Sequence, residues 1–149
     1  MVITEIRVKL EKCNEERLLA FCSITIDDAF VIRDLKIIEG DRNIFVGMPS
    51  RKLTDRCRNC GCKNHLRACF CNKCGKQLGE DRAMRDANGH LKLHADIAHP
   101  INQDAREIIQ RAVRHAYWKE VHLSRQPGYI CRYDDYTQFQ VNGVLSKAQ

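Results

Sequence analysis

No apolar stretch in this chain approaches the roughly 20 residues that a membrane-spanning helix requires. The opening segment, Met1 to Arg7, lacks a basic leader followed by an apolar run, so no secretory signal is read there. The expected setting is cytoplasmic, with no membrane partner. There is neither an internal repeat nor a low-complexity tract, which sets aside solenoid and fibrous architectures. Prolines number three, and each stands at a break between patterned segments: Pro49, Pro100 and Pro127. A phosphate-binding glycine loop is also missing, as is a nucleophile set beside a base, so an enzyme is not expected.

Cysteine, by contrast, is plentiful. Nine cysteines in a cytosolic chain call for an explanation other than disulfides, because thiols there are kept reduced. Six of them lie between residues 57 and 74, while Cys13, Cys22 and Cys131 are scattered. The spacing Cys57-x2-Cys60-x10-Cys71-x2-Cys74 gives two knuckles, each turning its two sulfurs toward one point, and together they make a tetrahedron for Zn²⁺. Gly61 and Gly75 directly follow the second cysteine of each pair, where such a knuckle calls for positive φ. Four cysteine ligands leave no open position for water, so the expected zinc is structural rather than catalytic. Cys62, Cys69 and His65 are reserve ligands, and Cys62 with Cys69 is a candidate redox pair. The plainer reading makes both spare thiols beside the site.

Charge is concentrated in the same region. From Arg51 to Lys76, eight basic residues face one acid, Asp55, so this segment holds +7 while the whole chain is +6. Metal and thiolates together subtract about 2 from that total. A basic segment beside a near-neutral body suggests contact with nucleic acid.

The remainder carries regular patterns. Ile6, Val8 and Leu10 alternate with Arg7 and Lys9; Leu18 to Ile26 and Phe30 to Ile38 follow as strands around Asp27-Asp28, and Ile44 to Met48 as a short strand after Gly40-Asp41-Arg42-Asn43. Connections this short favour an antiparallel meander. Leu91, Leu93, Ala95 and Ile97 alternate again after the Asn88-Gly89 turn, giving one more strand. Asn102 is placed to cap a helix whose apolar face runs through Ala105, Ile108, Ile109, Ala112, Val113, Ala116, Tyr117 and Val121. The expected fold is therefore α+β: residues 1–50 and 91–125 form the body, residues 51–90 an inserted zinc-ribbon module, and 126–149 a tail, weakly ordered from Arg132 onward. With hydrophobic residues at 44% and charged residues at 30%, a packed core is within reach.

His94, Asp96 and His99 form a small polar cluster that a solvated sheet face explains without catalysis. Cys13 and Cys22 fall in strand-like stretches and read as buried small hydrophobes.

Leu19 to Ser50 (LAFCSITIDDAFVIRDLKIIEGDRNIFVGMPS) closely resembles the stage V sporulation protein G family of bacterial septation and sporulation regulators. Asp96-Ile97-Ala98-His99-Pro100-Ile101-Asn102 and the helix after it match a second hallmark of that family. The resemblance covers roughly residues 1–50 and 91–122. It implies a homodimer that binds DNA or RNA without catalysis, with Arg51 and Lys52 as the basic pair after the Met-Pro-Ser motif. This sequence departs from the family at that point, where the cysteine-rich module expands a usually short connection.

The reading that follows is a nucleic-acid-binding regulator with a structural zinc ribbon, its phosphate contacts being Arg51, Lys52, Arg56, Arg58, Lys63, Arg67 and Lys73. The alternatives are a protein-interaction adaptor docking through the ribbon and a thiol-based redox sensor.

Overall fold

A computed structural model describes residues 1–12 and 17–135. Within them the chain divides into two compact units, Ser50–Ile97 and the remainder, Met1–Pro49 with the chain from Ala98 onward.

The larger unit is an antiparallel four-stranded sheet with one helix. Its strands β1 (Ile3–Leu10), β2 (Leu18–Ile26), β3 (Phe30–Glu39) and β4 (Ile44–Gly47) lie side by side in chain order. The β2–β3 connection is tight because Asp27 and Asp28 both take left-handed backbone angles (φ 51° and 52°), which aspartate tolerates better than most residues. Helix α1 spans Gln103–Ser124, and the Asn102 side chain accepts the Ala105 N–H at 2.8 Å, as the capping pattern anticipates.

Alternation decides what is buried. Val8, Ala20, Cys22, Ile24, Leu35, Ile37 and Val46 from the sheet meet Ile109, Val113 and Tyr117 from α1 in one core. Each large side chain in that set contributes about 1.5–3 kcal/mol through burial. Cys22 is fully enclosed, and burial pushes its thiol up to about 12, so it behaves as the small hydrophobe its pattern suggests. Cys13 lies outside the described residues. The helix also borders β4 directly: Gln110 Oε1 accepts the Val46 N–H at 3.2 Å, and Arg114 Nε donates to the Ile44 carbonyl at 3.0 Å.

Strand β3 is not the smooth strand its alternation suggests. The register slips between Cys22↔Leu35 and Ile24↔Ile32, and Asp34 sits in this bulge with φ 62°. Tyr133 seals the bulge. Its hydroxyl accepts the Asp34 N–H and donates to Asp34 Oδ1, both at 3.3 Å, while Arg33 lies 5.0 Å from its ring centre and pairs with Asp134 at 2.8 Å. Tyr133 is only 4% exposed. The expected loosening from Arg132 onward is thus not seen through Asp135; the rest of that tail, residues 136–149, lies outside the described residues.

The Ser50–Ile97 unit contains two short ladders. Strand β5 (Ser50–Lys52) pairs with β8 (His94–Asp96), and β6 (Thr54–Arg56) pairs with β7 (Lys63–His65). The alternation from Leu91 to Ile97 therefore yields three strand residues, and these pair with β5 rather than joining the four-stranded sheet. Between the ladders, Leu53 donates to the Leu93 carbonyl at 2.8 Å and accepts from Leu66 N–H at 3.2 Å. The Asn88-Gly89 turn forms as read, with Gly89 at φ 80° and Asp86 Oδ1 accepting the Asn88 and His90 N–H groups at 2.9 Å.

Candidate metal centre

Two knuckles build the site. In the first, Cys57 N–H donates to the Cys62 carbonyl and Gly61 N–H returns to the Cys57 carbonyl, both at 2.8 Å. The second repeats the pattern: Cys71 N–H donates to the Lys76 carbonyl at 2.8 Å and Gly75 N–H to the Cys71 carbonyl at 3.0 Å. Gly61 and Gly75 have φ of 73° and 72°, the left-handed turn expected after each cysteine pair.

These turns bring the sulfurs of Cys57, Cys60, Cys71 and Cys74 within 4.8 Å of one another. Cys57 Sγ lies 3.8 Å from Cys74 Sγ, and Cys60 Sγ 3.5 Å from Cys71 Sγ. A tetrahedral ion held at about 2.3 Å from four sulfurs separates them by about 3.8 Å, so the donor set fits a metal ion. Cys62, Cys69 and His65 fall outside this group of four. Cys62 Sγ instead points to the Lys63 carbonyl at 3.6 Å, and Cys69 is exposed. His94 and Asp96, on β8, form no metal-binding group with His99 among the described residues.

The electrostatics divide the sulfurs. The Cys71 thiol is pulled down to about 5 by the Cys74 and Lys73 backbone N–H groups and by the Asn64 amide. Cys74 is lowered too, by the Lys76 N–H first and then the Asn59 side chain. Cys60 goes the other way. The Cys62 N–H favours its thiolate, but desolvation and the crowding sulfurs prevail and push it up to about 12. Without a cation at their centre, four close thiolates repel one another; a divalent ion removes that penalty.

Two polar residues complete the unit, and neither belongs to the cysteine pattern. Asn64, 4% exposed, donates to Cys71 Sγ at 3.5 Å and to the Cys62 carbonyl at 3.0 Å, while its Oδ1 accepts Asn72 N–H at 2.8 Å. It ties both knuckles together. Arg82 pairs with Asp55 and donates to the carbonyls of Gly79, Leu66 and Ala68, at 2.9, 3.3 and 2.6 Å. Its guanidinium gathers the loop after β7 and the chain beyond the second knuckle.

The basic residues read from the sequence all lie on this unit. Arg51, Lys52, Arg56, Arg58, Lys63, Arg67 and Lys73 are each exposed. Among the described residues none of the seven forms a salt bridge, although Arg56 donates to the Gly61 carbonyl at 3.3 Å.

The model of the SpoVG family matches residues 1–119 of the chain. The chain belongs to the SpoVG family. Among similar proteins, the provisionally named septation protein SpoVG of Bdellovibrio bacteriovorus is 36% identical over 146 residues, covering 91% of this chain and all of that relative. Its namesake in Agathobacter rectalis is 38% identical over 122 residues, covering 81% of this chain and 97% of the relative. That of Clostridium beijerinckii is 34% identical over 121 residues, covering 81% and 92%. The SpoVG resemblance read from Leu19–Ser50 and from Asp96–Asn102 is thereby borne out. Among the described residues of this SpoVG chain, no helix is long and apolar enough to cross a membrane.

Proposed function

We propose that this SpoVG-family chain is a nucleic-acid-binding regulator of septation or sporulation type, acting in the cytoplasm as a homodimer and without catalysis. Its Ser50–Ile97 unit is a zinc ribbon holding a structural Zn²⁺ on Cys57, Cys60, Cys71 and Cys74. One observation carries this reading: seven basic side chains stand exposed and, among the described residues, without salt-bridge partners on the unit that the cysteine cluster organises. Cations left free of carboxylates are available to phosphates, which release counterions when neutralised. The zinc supplies no chemistry to a substrate; it holds the knuckles in register. Contacts of this kind track the backbone and give little sequence discrimination.

The test is fluorescence anisotropy of the metal-loaded protein with duplex DNA and with single-stranded RNA across a salt series. The expected result is binding that weakens steeply with salt, and its loss in the double variant Arg51→Glu, Lys52→Glu. No binding of either nucleic acid at low salt would overturn the reading. A protein-docking role is the second reading, favoured by Phe70, which stands 61% exposed on the same unit.

A further inference from the structure

A small cavity opens where the two ladders of the Ser50–Ile97 unit meet. Its floor is apolar: Leu53, Leu66 and Leu93, the three residues joined by the backbone hydrogen bonds that link the ladders. Its rim is cationic and aromatic. Lys52 and His94 stand opposite one another in the β5–β8 register, and His65, at the end of β7, and Arg67 close the other side. Among the described residues no carboxylate lines it. The accessible volume is about 100 Å³, too small for an extended ligand and suited to a single ring-sized group.

The larger groove on the same unit differs in kind. There Arg56, Arg58 and Arg82 alternate with Asp55, Glu80 and Asp81, so its field is mixed and Arg82 is already engaged by Asp55. The leucine-floored cavity combines what the groove lacks: an apolar base, two imidazoles and a guanidinium for stacking, and cations of one sign at the mouth.

We propose that this cavity receives one unpaired base of a single-stranded nucleic acid, with the adjoining phosphates on Lys52 and Arg67. The proposal rests on the nucleic-acid reading above and adds strand preference to it. Imidazole and guanidinium planes stack on bases, and a base held in a duplex cannot enter so narrow a site. His65 and His94 flank the base, and the three leucines cover its edge.

The experiment compares labelled oligothymidylate, the same strand with abasic sites, and a mixed-sequence duplex, on the metal-loaded full chain and on His65→Ala, His94→Ala and the double variant. The double variant is expected to bind the single strand about ten-fold more weakly, with an unchanged salt slope and unchanged duplex affinity. The abasic strand should bind the unaltered protein as weakly as the normal strand binds the variant. Equal affinity for abasic and normal strands, or equal losses on single strand and duplex, would overturn the cavity while leaving the regulator reading intact. Absence of binding to every nucleic acid would overturn both. Circular dichroism and metal content equal to the parent's would establish that the variants retain their fold.

Discussion

Asn64 holds the Cys71 knuckle from two sides: its amide reaches the Cys71 sulfur at 3.5 Å, and its carbonyl accepts the next residue's N–H, that of Asn72, at 2.8 Å. Groups that orient a metal ligand and hydrogen-bond to it tune the affinity of the site. In Asn64→Ala, the expected loss is about 10–100-fold in metal affinity, read by competition with a chromophoric chelator. Metal release indistinguishable from the parent's would mean that the knuckle keeps its geometry unaided.

Loss of a ligand should have a bounded effect. Cys71→Ser, or chelation of the parent, is expected to open the Ser50–Ile97 unit, because structural zinc contributes on the order of 10–16 kcal/mol in such modules. The sheet and helix have their own core and should persist. Trp118, the single tryptophan, lies on α1 within that body. Its emission and the helical circular dichroism should change little, while proteolysis between residues 50 and 97 accelerates. Collapse of the Trp118 signal would refute the independence of the two units.

The Tyr133 contact is a stability prediction. Truncation in Tyr133→Ala removes a ring that is almost fully enclosed and leaves the Asp34 bulge uncovered, at a cost of about 3–5 kcal/mol by urea titration. Tyr133→Phe keeps the ring and should cost about 0.5–1.5 kcal/mol. An unchanged midpoint for Tyr133→Ala would show that the segment does not dock on β3 in solution.

Alkaline pH should weaken the same body. Burial raises the Tyr117, Tyr129 and Tyr133 phenols, with the Glu120 carboxylate also resisting ionisation of Tyr129. A group whose pKa is raised on folding stabilises the fold fully below its unfolded value, about 10 for tyrosine, and that contribution is lost as pH climbs toward the folded value. The melting temperature is expected to fall above pH ~10, and phenolate absorbance to appear later in the folded chain than after unfolding. Ionisation of all phenols at the ordinary value would contradict the burial.

Much of this architecture could be read from residue order, and the exceptions share a cause. Alternation at Ile6, Val8 and Leu10 sufficed for β1, the Asp27-Asp28 pair for the β2–β3 turn, and Asn102 for the start of α1, because each is a local rule acting on neighbouring residues. The grouping of Cys57, Cys60, Cys71 and Cys74 followed from spacing for the same reason. Leu91 to Ile97 obeys the strand rule but names no partner, and only the register with Ser50–Lys52 reveals where its three strand residues pair. Asn64 and Arg82 bind a sulfur and backbone carbonyls, contacts that leave no periodic pattern in the sequence. Tyr133 looked like part of a polar tail since its partner, the Asp34 bulge, is itself an irregularity invisible to alternation.

The Gln110 and Arg114 bonds to β4 have a consequence for how copies of this chain can meet. An outer strand with bare N–H and C=O groups invites another strand to pair with it. Here the outward groups of Val46 and the Ile44 carbonyl are already occupied by helix side chains. At the opposite border, the Val8 carbonyl is met by the Cys131 thiol at 3.7 Å. On the β4 side a second strand could therefore pair along Val46 only by displacing Gln110, so the helix guards that border of the sheet against lengthening.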